Sequence, residues 1–197
     1  MDLKLKDKVF MVAAGSKGLG FGIAKALLEE GAYVSIGSRS QSNIDKAINE
    51  LSNISTTHIM GHTLDASNSD SIKSWTDAST QKFRGLDGLV VNAGGPPVGQ
   101  FDDFSDDDWQ EAFELTLMSS VRMIRCALPH LRKRKGGAIL TLTSSSVKEP
   151  IDILLLSNVM RSGVTSLAKS LSKQLASEHI RINNLIPGRM DTDRVRS

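Results

Sequence analysis

The chain has 197 residues, 40% of them apolar and 23% charged, with a formal net charge of +2; this is the composition of one globular domain with one sizeable core. Cys126 is the only cysteine and His58, His62, His130 and His179 are scattered without acidic neighbours at ligand spacing, which excludes an intrachain disulfide and leaves no metal centre to expect. The basic run "LRKRKGG" lacks interleaved aromatics and reads as a solvated helix end rather than a nucleic-acid surface, while the absence of an apolar leader or a bilayer-length apolar window makes a cytoplasmic protein without a membrane partner the expectation.

Strand-like and helix-like patterns alternate along the whole chain. "KVFMVAA" predicts a first buried strand, and after a glycine turn "FGIAKALLEE" predicts a helix closed by Gly31. "AYVSIGS" is the second strand, "QSNIDKAINELSN" the second helix and "THIMGHTL" the third strand. A helix over "SDSIKSWTDASTQKF" and a fourth strand in "LDGLVVNAG" follow. Ser105 and Asp108 stand at capping-box spacing before a helix whose apolar positions Phe113, Leu117, Val121, Ile124, Leu128 and Leu131 define one buried face. "GAILTLTSS" predicts the fifth strand, Val164, Leu167, Ala168, Leu171 and Leu175 mark another helix, and "RINNLIPG" is a sixth strand running into a turn. Such alternation builds βαβ units, so the expected fold is a Rossmann-type doubly wound parallel sheet in three α/β/α layers, one domain over residues 1–197.

Between the first strand and first helix lies "AAGSKGLGFG". A dinucleotide pyrophosphate needs N–H groups at a helix N-terminus and residues without side chains where two backbones approach. Gly15, Gly18 and Gly20 supply the second requirement, and the turn as a whole (Ala14, Ser16, Lys17 and Leu19 with them) is the candidate phosphate cradle. At the end of the second strand an NAD site needs a carboxylate for the ribose, whereas an NADP site needs cations. Ser38 and Arg39 stand there, with Lys17 nearby, so NADP(H) is favoured over NAD(H).

With these features the chain resembles the short-chain dehydrogenase/reductase family, and within it the 3-oxoacyl-acyl-carrier-protein reductase-like members. The resemblance rests further on Asp65 and Ala66 in "LDAS", on Asn92, Ala93 and Gly94, on Ser144 ending the fifth strand, and on "PGRMDT" from Pro187 and Gly188 to Thr192. It implies that Asp65 faces the adenine, that Pro187, Gly188 and Thr192 hold the nicotinamide, and that Ser144 binds a substrate carbonyl. It also implies an oxidoreductase for a small carbonyl, alcohol or acyl-thioester substrate, assembled as a homodimer or homotetramer.

Several residues depart from the family pattern. The family's catalytic Asn falls on Thr116, its Tyr on Ser157 and its Lys on Arg161. Ser144, Ser157 and Arg161 are therefore the candidate catalytic set, with Lys148 a conceivable substitute proton donor. The turn begins Ala13-Ala14 where the family has Thr-Gly, and a negative φ at Ala14 with a reshaped phosphate loop is expected. The family's last helix and strand are expected to be lacking. The alternative function is a cofactor-binding sensor or scaffold subunit that has lost turnover.

Overall fold

A computed structural model describes residues 1–192. Six strands form one sheet in the order β3-β2-β1-β4-β5-β6, every pair parallel: β1 (Val9–Ala13), β2 (Tyr33–Ser38), β3 (Ile59–Thr63), β4 (Gly88–Val91), β5 (Gly137–Leu142) and β6 (Ile180–Leu185). The helices between them are α1 (Gly18–Glu29), α2 (Gln41–Leu51), α3 (Ser69–Phe83), α4 (Asp106–Ala112), α5 (Ser119–Lys133) and α6 (Leu155–Gln174). Parallel neighbours cannot be joined by a hairpin, so each strand is followed by a crossover that returns the chain to the same end. All six strands point their C-termini to one edge, and the strand order reverses between β1 and β4, where a crevice opens.

Strands buried on both faces need apolar residues throughout, and VFMVA and GLVV have them. One core lies under α3, α5 and α6 and contains Met11, Trp75, Leu89, Ile124 and Ile139; the other lies under α1 and α2 and contains Val12, Leu28, Ile36 and Leu51. Trp75 is fully buried, so its indole N–H must be satisfied, and it donates to Ser35 Oγ at 2.9 Å. Helix starts follow local chemistry: Asn68 Oδ1 accepts the N–H groups of Asp70 and Ser71 at 2.9 Å, and Ser105 and Asp108 form the expected capping box.

Two expectations need correction. Ala14 has φ 49, not a negative angle, so the loop keeps a left-handed corner with a methyl group on it. The corner falls where β1 ends at Ala13, and the residue after it, Gly15, is buried with a would-be Cβ 2.8 Å from the Ile36 side chain. A left-handed alanine costs about 1–2 kcal/mol, against roughly 0.4–1 kcal/mol of unfolded-chain entropy that glycine adds. Ala14→Gly is therefore expected to raise the unfolding free energy by up to about 1 kcal/mol, readable as a higher urea midpoint with an unchanged m-value.

The second concerns the helix after Ser105. It is not one α-helix: residues Phe113–Met118 form a π-helical turn between α4 and α5. The inserted turn rotates the later residues, and the fully buried positions are Ala112, Thr116, Ser119, Ser120, Met123, Ile124, Ala127 and Leu131. Of the expected face, Ile124 and Leu131 are buried, while Phe113, Leu117, Val121 and Leu128 are half-buried. Small polar residues take the inner positions because the helix approaches the sheet and α6 closely; Ser119 and Ser120 satisfy themselves by donating to Thr116 O.

Candidate active site

The crevice at the β1/β4 switch point is a groove of about 780 Å³. Of the sequence-predicted cofactor residues, Ala14, Ser16, Lys17, Gly18, Leu19, Ser38, Arg39, Ala66, Asn92, Ala93, Gly94 and Thr192 line it. Gly15 and Gly20 lie buried beneath: a Cβ on Gly20 would sit 2.3 Å from Ala14 O, so only glycine lets α1 start this close to β1. Helix α1 begins over the groove with no acidic side chain in its first turn, leaving its N–H dipoles suited to an anion. A Cβ on Gly94 would meet nothing within 4 Å, so this glycine keeps the groove floor open rather than relieving a clash.

The far end of the groove is basic and hydroxyl-rich. Ser16 Oγ donates to Ser38 Oγ at 2.8 Å, joining the glycine turn to the end of β2. Arg39, exposed, stands next along the chain, and α2 presents Asn43, Lys46, Ala47 and Glu50 to the same space. Those four are spaced i, i+3, i+4 and i+7, the face of a helix, which is the signal by which sequence reasoning could have found Lys46. Asp65 does not line the groove. Its carboxylate instead accepts the Ser67 hydroxyl at 2.6 Å and the Ser67 N–H at 3.0 Å, which holds it below the usual carboxylate range. Pro187 and Gly188 also stand outside the lining, whereas Asp191 and Thr192 close over it. The Thr192 methyl lies 3.5 Å from where a Cβ on Gly18 would be.

At the C-terminal end of β5 the three candidate catalytic residues gather around one strand terminus. Ser157 and Arg161 are one turn apart on α6 and are 5% and 8% exposed. Arg161 Nε donates to Ser157 Oγ at 3.1 Å, and Nη1 donates to the carbonyl of Leu142, the last residue of β5, at 3.1 Å. The buried guanidinium is thus tied both to the helix and to the strand end two residues before Ser144. Ser144 is half-buried, and its Oγ accepts the Ser146 N–H at 3.2 Å, so its own proton can be directed elsewhere. The 3-10 turn Ser145–Val147 and the π-helical turn both pack on α6. Each carries a buried hydroxyl, Ser146 Oγ and Thr116 Oγ1, with no hydrogen-bond partner among the described residues. Leaving such a group unsatisfied costs about 1–3 kcal/mol. Both orphaned hydroxyls thus lie on elements packed against the helix that carries Ser157 and Arg161.

Lys148 is exposed where the 3-10 turn ends. The only tyrosine, Tyr33, starts β2 at the opposite edge of the sheet, its ring 4.1 Å from that of His58. No cluster of metal-binding side chains exists among the described residues, and none of their helices is long and apolar enough to cross a membrane.

The sequence pattern of short chain dehydrogenases matches residues 8–197. The chain belongs to the short-chain dehydrogenase/reductase family. It is 36% identical over 191 residues to dehydrogenase/reductase SDR family member 4 of Caenorhabditis elegans, a match that covers 96% of this chain and 73% of that protein. Among solved structures, L-sorbose reductase from Gluconobacter frateurii, complexed with NADPH and L-sorbose, superposes with a TM-score of 0.95 at 27% identity, over 98% of this chain and 74% of that one. An NADPH-bound short chain oxidoreductase from Pseudomonas aeruginosa, described as containing an atypical catalytic center, superposes with a TM-score of 0.91 at 25% identity, over 96% and 74% of the two chains. Members of the short-chain dehydrogenase/reductase family are oxidoreductases, and this chain carries their fold with a groove in which the family's nicotinamide cofactor fits. The fit rests on glycines that admit a pyrophosphate, the α1 N-terminus and the open space beside Gly94.

Proposed function

We propose that this protein is an NADP(H)-dependent oxidoreductase that interconverts a small carbonyl compound and its alcohol, with Ser144, Ser157 and Arg161 at the reaction centre. The observation that carries the reading is the buried Arg161–Ser157 hydrogen bond anchored to the end of β5. Ala14 to Gly20 and the α1 N-terminus would hold the pyrophosphate, Asn92 to Gly94 the adenosine-to-nicotinamide span, and Pro187 to Thr192 the nicotinamide. Ser38, Arg39, Lys17 and Lys46 would hold a 2′-phosphate. When bound, this cofactor supplies the hydride.

Carbonyl reduction also needs charge stabilisation at oxygen and a proton. Ser144 donates a hydrogen bond to the substrate oxygen. Arg161 contributes positive charge in a water-poor site, where it counts for more than at the surface. A guanidinium keeps its proton throughout the range in which proteins work, so Arg161 does not itself serve as the acid. Ser157 accepts a hydrogen bond from that guanidinium, so its own proton can be donated to a substrate oxygen or a water and is polarised by the adjacent charge. It relays a proton from solvent rather than acting as a stored acid, because an aliphatic hydroxyl is a far weaker acid than a phenol. Slow turnover follows from this chemistry. The faces of α4, α5 and α6 turned away from the sheet would support a homodimer or homotetramer, with Val159 exposed on α6.

The test is NADPH oxidation with diketones, aldehydes and 3-oxoacyl thioesters, compared with a Ser144→Ala, Arg161→Ala control. Oxidation in the wild type alone supports the reading; NADPH-dependent thermal stabilisation without oxidation would make the protein a cofactor-binding sensor or scaffold subunit. For cofactor choice, Arg39→Ala removes a charge-assisted contact worth about 1.5–3 kcal/mol. It should weaken NADPH binding roughly 10–100-fold and leave NADH binding unchanged, as read by fluorescence titration.

A further inference from the structure

Two walls of the groove come from separate parts of the chain, and one side chain behind them holds both. Leu64 and Ala66, on the loop that leaves β3, line the groove, and so does Leu115 in the π-helical turn. Arg122, half-buried on α5, is not among the lining residues. Its Nη1 donates to the carbonyl oxygen of Ser67 at 2.9 Å and pairs with the Glu114 carboxylate at 2.5 Å. Ser67 follows Ala66 and Glu114 precedes Leu115, so a single nitrogen ties the two walls to each other.

The contact depends on the π-turn. On a straight α-helix, residues as far apart as Glu114 and Arg122 point about 80° away from each other. The extra residue that a π-turn takes up brings them back to within about 20°. Glu114 is held on its other oxygen by Gln110 Nε2, which donates to Oε1 at 3.2 Å. The loop after β3 is equally well knit. Asp65 Oδ1 accepts both the hydroxyl and the N–H of Ser67, and Asp65 N donates to Ser71 Oγ at 2.9 Å. Such a loop moves as a unit, and Arg122 ties that unit to the π-turn with charge-assisted bonds, which are stronger than neutral ones.

We infer that Arg122 is a positioning residue for the adenosine half of the cofactor: by clamping Ser67 to Glu114 it holds Ala66 and Leu115 at the spacing into which an adenosine fits. The inference rests on the reading of this groove as the NADP(H) site. Because one nitrogen makes both contacts, a lysine ammonium can replace it, whereas an apolar side chain of similar length cannot.

Calorimetry with adenosine 2′,5′-bisphosphate and fluorescence titration with NADPH test this in the full chain, well below its melting temperature and without any need for turnover. Arg122→Met should weaken both ligands about tenfold, within the range by which residues that touch no ligand alter its binding. The losses should be equal, because the bisphosphate carries the adenosine half alone. Arg122→Lys should stay within about threefold of the wild type, a rescue that a side chain merely filling space would not give. Glu114→Gln keeps the shape and removes the charge; it should lose about threefold and decides the matter if Arg122→Met does not fold. Unchanged affinity for the bisphosphate in either Arg122→Met or Glu114→Gln would overturn the inference. So would equal losses in Arg122→Met and Arg122→Lys, or a loss confined to NADPH. A wild type that binds both ligands but oxidises NADPH with no carbonyl would instead overturn the proposed turnover and leave the clamp standing; one that binds neither ligand would overturn both.

Discussion

Replacing Ser157 by Tyr together with Arg161 by Lys should raise kcat for carbonyl reduction by roughly 100–10,000-fold, the range a positioned general acid contributes. The physical basis is the proton. A phenol with a pKa near 10 can be lowered towards neutrality by a neighbouring cation, whereas a serine hydroxyl cannot reach that range. Arg161 already stands one helical turn from Ser157 and within hydrogen-bonding distance, so the geometry for a cation beside a phenol is present. Ser157 is almost fully buried, and the added ring must therefore enter the space the substrate carbonyl uses. Steady-state NADPH oxidation at several pH values is the measurement. A bell-shaped or sigmoid profile with a midpoint absent from the wild type would show that the new phenol is the acid. An unchanged kcat with an unchanged melting temperature would show that the proton is not limiting.

The second large effect is expected at Gly20. A methyl group there meets Ala14 O at 2.3 Å, Ala14 C at 2.9 Å and Gly15 Cα at 3.1 Å, all backbone atoms that cannot swing away. Gly20→Ala must push the start of α1 off the glycine turn, at the cost of about 1–3 kcal/mol that overpacking carries. The displaced helix also withdraws the N–H groups that face the groove. NADPH binding should weaken about 10–100-fold, and the melting temperature should fall. Gly22 is the internal control. It is exposed on the same helix with nothing within 4 Å of an added Cβ, so Gly22→Ala should leave NADPH binding unchanged and stabilise the helix by up to about 1 kcal/mol. Equal losses in the two variants would mean that helix composition, not the close approach at Ala14, sets the site.

Much of the fold is readable residue by residue. The helix over Ser69–Phe83 follows from a polar stretch with Ile72, Trp75 and Thr76 at helical spacing, which are among its buried positions. The strands follow from short apolar runs bounded by turn residues, and their alternation with helices leaves a parallel sheet as the arrangement that buries both faces. The glycine turn is equally legible, because the need for backbone approach is met by one residue type. The π-turn at Phe113–Met118 is not legible, since its apolar period matches an ordinary helix until the packing of α6 is known. Ala14 is a similar case: its left-handed angle accompanies the close packing of Gly15 on the Ile36 side chain of the next strand, a contact more than twenty residues away in sequence.

The candidate site divides along the same line. Spacing along the chain determined that Ser157 and Arg161 share a helix face and that Ser144 lies at the exit of the fifth strand, though the strand itself stops two residues earlier, at Leu142. Only the tertiary structure decided that the guanidinium is tied to the Leu142 carbonyl and that Lys46 joins Arg39 at one end of the groove. It also decided that the Asp65 carboxylate accepts both the hydroxyl and the N–H of Ser67, and that two loops meet at Gly99 and Leu154. These contacts join residues far apart in sequence, or choose between partners a side chain reaches equally well. Period and composition carry no information about either, since the choice is made by which groups the folded core leaves buried and unpaired.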